Sequence, residues 1–268
     1  MGEITRKNIR KQNFEAESEE EKIEEFCIDV ACMYTEGMLS KYRELEASRD
    51  GKYINSDLMK MTFPFYAESA ENRRKYNMSV TNSAAVLTNE AYTRALENEN
   101  IKKCIFVTGP YGAGKSYFAQ SLYEDPENEE LLRNSIVYEG SITPPAFEEK
   151  IMLAIKNGVQ PYIMALNPTL ELSVKNINQR AKQNGRDVEK NEVMEKFVNF
   201  YTYMKELLEK INLPYMIYNK SENISINIKN GTQNVDDLYH GTREELENEY
   251  DGIMKINNTE KTTTDNCR

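Results

Sequence analysis

Beyond a polar, frayed stretch over residues 1–20, and as far as about Ser48, the apolar positions recur at three- and four-residue steps: Ile23, Phe26, Cys27, Val30, Met33, Tyr34, Met38 and Tyr42. That spacing predicts one amphipathic helix, stopped at "SRDGK" by Asp50-Gly51. Its apolar stripe must cover something, and two readings fit: a helix docked on the main core, or a detachable arm that binds a partner or restrains a site. Residues 51–82 read as irregular, with Pro64 among the aromatics of "MTFPFYAES". A second helical pattern follows in "SAAVLTNEAYTRALENEN", with Leu87, Ala91, Tyr92 and Leu96 in register. It leads directly into the apolar run Cys104–Thr108.

From there the pattern alternates. A helix is predicted over Tyr117–Tyr123, a short strand over Ser135–Tyr138, and a helix in "TPPAFEEKIMLAIKNG", with Pro145 in its first turn and Gly158 at its end. A strand follows in "VQPYIMALN", then helices in "LELSVKNINQRAKQNGR" and "NEVMEKFVNFYTYMKELLEKI", and a further strand in "LPYMIYN". The Asn-Gly of "ISINIKNGTQNV" marks a hairpin tip, and "TREELENEYDGIMKI" closes as a helix. Strands alternating with helices of these lengths predict an α/β fold: a mostly parallel sheet with helices on both faces, of P-loop NTPase type, plus an N-terminal helical extension. The chain divides into that extension (1–50), the main domain (51–255) and a polar tail (256–268) expected to be disordered.

Composition narrows the function classes. The formal net charge is -10, from 34 basic and 44 acidic residues, and an acidic surface disfavours nucleic acid as a partner. The four cysteines, Cys27, Cys32, Cys104 and Cys267, form no CxxC pair and have no histidine at metal-ligand spacing, which reads as free thiols in a reducing compartment. The start, "MGEITRKNIRKQ", lacks the apolar stretch of a secretory signal, and Arg6 stands where a myristoylation motif has Ser or Thr. No run approaches the roughly 18 apolar residues of a membrane span. A cytoplasmic protein without a membrane partner is expected.

The chemistry concentrates at "GPYGAGKSYF". Gly109-x-x-x-x-Gly114-Lys115-Ser116 satisfies the phosphate-loop pattern, with a strand before it and a helix after it. Glycines at 112 and 114 let backbone N–H groups turn toward phosphate oxygens, and the helix N-terminus adds positive potential. The expected nucleotide contacts are Gly109, Pro110, Tyr111, Gly112, Ala113, Gly114, Lys115, Ser116 and Tyr117, with Lys115 on the β/γ-phosphates and Ser116 on Mg²⁺. Glu139 ends the strand "SIVYE", where an acid can face Mg²⁺ or an acceptor hydroxyl. Arg180, Lys182 and Arg186 in "NQRAKQNGRD" are candidates for a cationic lid; the planar forks of Arg180 and Arg186 suit phosphate best. The patch Arg73, Arg74 and Lys75 reads as solvated surface or as a contact to an anionic substrate. His240, in "DLYHGTREEL", reads as a loop or capping residue.

In this order, the phosphate loop, "IVYEGSITPP", "KIMLAIKNGVQPYIMALNPTLELSVKNINQRAKQNGR" and "YMIYNKS" resemble the zeta-toxin-like P-loop kinases, over about residues 80–250. The resemblance implies ATP- or GTP-dependent phosphorylation with Mg²⁺, a small-molecule acceptor such as a UDP-N-acetylsugar or a nucleotide, and an antitoxin-like protein partner. It places Glu139 in the substrate-side acidic motif and Arg180 and Arg186 in the phosphate-clamping lid; with Lys115 these form the expected catalytic set. One departure stands out. The family pattern carries a Gly-Asp-x-x-Arg-type segment, the source of the acceptor's general base, between the P-loop helix and the Glu strand. Here that interval is "SLYEDPENEELLRNS", whose aspartate, Asp125, precedes Pro126 in a polar loop. Three alternatives follow: Glu139 doubles as the base, the acceptor differs, or nucleotide is bound without this kinase activity, as in a switch or ATPase acting on a partner protein.

Overall fold

The computed structural model describes residues 3–184, 188–220 and 231–265, with backbone alone at 183, 184, 220 and 256–265. The N-terminal pattern folds as two helices, α1 (Glu19–Met33) and α2 (Thr35–Glu44), where one was expected. The buried face runs across the join through Cys27, Ile28 and Ala31 to Met38, Leu39 and Tyr42, whereas Phe26, Met33 and Tyr34 of the expected stripe are exposed. The break falls at Tyr34, which leaves helical geometry (φ -126°, ψ 29°). Thr35 and Gly37 just beyond it are weak helix formers, and the Thr35 hydroxyl turns back onto the Ala31 carbonyl at 2.7 Å. At the other end α1 is capped by Ser18, whose Oγ accepts from the Glu21 N–H, with Glu19, Glu20 and Glu21 set against the positive end of the helix.

The stretch expected to be irregular holds a strand, β1 (Tyr53–Asn55), three short helices, α3 (Ser56–Lys60), α4 (Pro64–Glu68) and α5 (Ala70–Lys75), and the start of α6 (Asn77–Leu96). The remaining elements follow the alternation read from the sequence: β2 (Lys103–Thr108), α7 (Lys115–Glu124), α8 (Glu129–Leu132), β3 (Ser135–Glu139), α9 (Ala146–Lys156), β4 (Gln160–Pro168), α10 (Leu170–Asn184), α11 (Lys190–Lys210), β5 (Tyr215–Lys220) and α12 (Arg243–Asp265). α12 continues into the stretch expected as a tail. The hairpin expected at 224–235 lies largely outside the described residues; Thr232 forms an isolated antiparallel bridge with Ile217 of β5.

The five strands form one parallel sheet in the order β1-β3-β2-β4-β5. Side chains alternate between its faces. Cys104, Phe106, Ile136, Tyr138, Ile163 and Ala165 face one layer, filled from α6, α9 and α11 by Tyr92, Phe147, Ile151 and Met204 among others. Ile105, Val107, Val137, Met164 and Leu166 face the other layer, where α7 contributes Phe118, Ala119 and Leu122. A further cluster joins α1 and α2 to α3 and α6 through Ile28, Tyr42, Met59, Phe63, Val80 and Leu87, so the N-terminal helices are docked on the fold. β2 lies at the centre, where the chain goes to β3 on one side and crosses back to β4 on the other. Such a reversal opens a crevice at the carboxyl ends of the strands.

Candidate functional site

At the carboxyl end of β2 the chain turns through residues 109–114 into α7. Gly112 and Gly114 adopt left-handed backbone, with φ of 72° and 78°. Gly112 is also a point of close approach: a Cβ there would meet the Ser173 carbonyl oxygen of α10 at 2.4 Å. The same helix holds the loop from that side, with Asn176 Nδ2 donating to the Gly112 carbonyl at 2.8 Å. Gly112→Ala therefore combines left-handed strain with a clash, a destabilisation of at least about 1–3 kcal/mol at the loop. We expect a nucleotide affinity at least tenfold weaker by fluorescence titration, together with a lower melting temperature.

Lys115 opens α7, and its ammonium folds back over the loop, donating to the Gly109 and Pro110 carbonyls at 3.0 Å each. Burial pushes its pKa down to about 8; the carboxylate of Glu139 opposes that shift and Arg180 adds to it. Ser116 Oγ donates to Glu139 Oε1 at 2.9 Å, and the Tyr53 hydroxyl of β1 donates to the other oxygen, Oε2. Burial raises the Glu139 pKa, while Lys115, Tyr53 and Ser116 pull it back down. The sequence-predicted metal pair, Ser116 and Glu139, is thus brought together. A hydroxyl and a carboxylate are hard oxygen donors of the kind Mg²⁺ takes alongside phosphate oxygens and water. Among the described residues no group of three or more His, Cys, Asp or Glu is placed to hold a metal.

The loop forms one wall of a cleft of about 660 Å³. Its lining also includes Asn55, Ser56 and Asp57, Glu139, Gly140 and Ser141 at the end of β3, and Asn176 and Arg180 of α10. Asp57 was not among the sequence-predicted residues. It stands in the first turn of α3, directly after β1, whose Asn55 pairs in register with Glu139 of β3. Asn55 Oδ1 caps α3 by accepting from the Leu58 N–H at 2.7 Å. The Tyr42 hydroxyl of α2 pins the strand, donating to the Tyr53 carbonyl at 2.7 Å and accepting from the Asn55 N–H at 3.0 Å. The stretch Ser56-Asp57-Leu58-Met59-Lys60 shares the spacing of acidic and basic residues with the Gly-Asp-x-x-Arg-type segment expected after the phosphate loop, but has Ser for Gly and Lys for Arg and stands before the loop.

Asp125, the aspartate of the expected interval, sits at the far end of α7. It caps the turn that follows, accepting from the Glu127 N–H at 3.0 Å, and lines a different hollow, with Arg49 and Lys52. Arg180 does reach the cleft, its Nη2 3.9 Å from Asp57 Oδ2. Lys182 lies further along α10, on its exposed surface, and Arg186 lies outside the described residues. The basic patch on α5 takes part in packing: Lys75 pairs with Glu19 of α1 at 2.5 Å and Arg73 donates to the Ala67 carbonyl at 3.0 Å. His240 is a loop residue, its Nδ1 2.6 Å from the Leu238 carbonyl oxygen and its ring stacked on Tyr201. Tyr117, on the P-loop helix, is 76% exposed at the mouth of the cleft.

A parallel five-stranded sheet covered by helices, with a glycine-rich loop between its central strand and the next helix, defines an α/β protein of the P-loop NTPase class. Within that class, residues 130–232 match the family model described as Zeta toxin, in keeping with the resemblance read from the sequence. The matched span holds Glu139 and Arg180; the phosphate loop and Asp57 lie upstream of it. No curated protein matches the chain. Among the described residues no helix is long and apolar enough to cross a membrane.

Proposed function

We propose that this chain is a phosphotransferase that binds ATP or GTP over Gly109–Tyr117 and passes the γ-phosphate to a hydroxyl of a small molecule, a UDP-N-acetylsugar or a nucleotide being the acceptors the resemblance brings. The observation that carries this reading is the cleft itself. It gathers a carboxylate, Asp57, into the same lining as Lys115 and Ser116, around a space of about 660 Å³. A carboxylate in that position suits removal of a proton from an acceptor hydroxyl. In the proposed reaction Asp57 takes the acceptor's proton as the hydroxyl oxygen attacks, which removes the need for Glu139 to double as base. Lys115 and Arg180, with Arg186, neutralise the charge that spreads over the γ-phosphate oxygens. Ser116 and Glu139 would hold Mg²⁺, which when bound neutralises phosphate charge. Positioning and charge neutralisation would supply most of the acceleration.

Cys27, Cys32 and Cys104 are free thiols, which suits the cytoplasmic setting proposed for this chemistry. The toxin reading belongs to the same proposal: expression would arrest growth and an antitoxin-like protein would relieve it. Incubation with γ-labelled ATP or GTP and a panel of UDP-sugars and nucleotides tests the reaction. One labelled, phosphorylated metabolite is the expected product; label found only as inorganic phosphate would favour an ATPase or switch. Glu139→Gln should leave nucleotide affinity without added metal close to that of the native protein and lower transfer by about 10²-fold. Loss of nucleotide binding in that variant would mean that Glu139 serves the loop's structure first.

A further inference from the structure

Lys60 closes α3 and is 4% exposed, an unusual place for a lysine. Its ammonium donates to Asn77 Oδ1 at 2.9 Å, at the start of α6, and lies 3.3 Å from Asp57 Oδ1. The Tyr66 hydroxyl donates to the same Asn77 oxygen at 3.1 Å. The amide of Asn77 is therefore oriented from behind, and Lys60 is held between it and the carboxylate. Residues 57 and 60 share a helix face by their three-residue spacing. Taking an ammonium out of water is unfavourable unless it is paired, and an unbranched apolar side chain would fill the same volume without that penalty. Simple packing does not account for a charge here; the neighbouring Asp57 does.

We propose that Lys60 is a positioning residue that holds the Asp57 carboxylate ionised and aimed into the cleft, a role that rests on the reading of Asp57 as the acceptor's base. Other charges face Asp57 as well. Arg180 of α10 approaches its second oxygen at 3.9 Å, and Lys115 of α7 and Glu139 of β3 act on the same region through their fields. These differ from Lys60 in what a substrate does to them. Arg180 has a side chain 40% exposed, and both it and Lys115 are drawn to the phosphates when nucleotide binds, whereas Lys60 has a side chain 5% exposed and stays anchored to Asn77. Among the described residues, Lys60 is a cation whose anchoring keeps it beside Asp57 when the base is needed.

The test is to titrate the Asp57 carboxyl by carbon-13 NMR in the full chain, assigned with Asp57→Asn, and to repeat the titration in Lys60→Gln and Lys60→Arg. Glutamine keeps a hydrogen bond to Asn77 and loses the charge; arginine keeps the charge. In the native protein Asp57 should titrate below the ordinary carboxylate range. In Lys60→Gln it should rise by about one pH unit or more, with the acid limb of the transfer profile moving by the same amount and nucleotide affinity unchanged. Lys60→Arg should restore most of both. An Asp57 that titrates alike in native and Lys60→Gln protein, or at or above the ordinary carboxylate value in the native chain, overturns the proposal; the second outcome needs no variant to fold. Failure of the native protein to phosphorylate any acceptor would sink the kinase reading separately, because the titration does not depend on turnover.

Discussion

Lys115→Ala should abolish measurable phosphoryl transfer, with turnover falling by about 10²–10³-fold or more, equivalent to roughly 3–4 kcal/mol of transition-state stabilisation. The ammonium stands at the N-terminus of α7, where helix and loop N–H groups already favour anions. It rests on the Gly109 and Pro110 carbonyls, contacts that a phosphate oxygen would replace in the proposed complex. The same geometry sets a pH dependence. Free Lys115 has its pKa pushed down to about 8 by burial, while a bound triphosphate favours the charged form and raises that pKa. Affinity measured without added metal is therefore full below about pH 8 and declines as pH rises through that value, by up to tenfold per unit. In Lys115→Ala the decline should disappear along with most of the affinity. Turnover in this variant equal to that of the native protein would falsify the assignment of the loop as the nucleotide site.

The loop was legible because its signal is local: a strand, glycines at fixed offsets, Lys-Ser and a helix, all inside sixteen residues, Lys103 to Phe118. β3, β4 and β5 were legible as apolar runs, since a parallel sheet buried on both faces asks for continuous hydrophobicity. β1 was not. Tyr53, Ile54 and Asn55 are all buried, but three residues make no recognisable run, and the third is an asparagine whose side chain caps the next helix. Asp57 was hidden with it, because the interval between the phosphate loop and the Glu139 strand holds a different aspartate, Asp125. In a parallel sheet a strand can take an edge position from either direction along the chain, and spatial order, not chain order, decides which acid meets the phosphate. The signal that could have found it was Asp57-Leu58-Met59-Lys60 directly after "KYINS". The split between α1 and α2 was hidden for a different reason. A buried apolar face continues through it, and periodicity reports faces, not breaks.

Asp57→Asn is the variant that separates transfer from binding. The amide keeps the shape of the carboxylate and can still accept from Lys60, so the α3–α6 contact and the fold should persist. It cannot take a proton from an attacking hydroxyl, and general base catalysis of this kind contributes about 10²–10⁴-fold. Transfer should therefore fall by about that factor while nucleotide affinity stays within a fewfold of native, because the phosphate loop and α7 are untouched. The position of β1 strengthens the expectation. Tyr42 holds both Tyr53 and Asn55, so the N-terminal helices fix the placement of Asp57 without lining the loop. Truncating Tyr42 to phenylalanine should accordingly imitate a milder Asp57→Asn, with transfer lowered and nucleotide affinity kept. Single-turnover kinetics with a saturating acceptor read the transfer step directly, and a nucleotide titration of each variant reads the binding step. If Asp57→Asn lost both steps together, the acid would be serving the nucleotide pocket and not the acceptor.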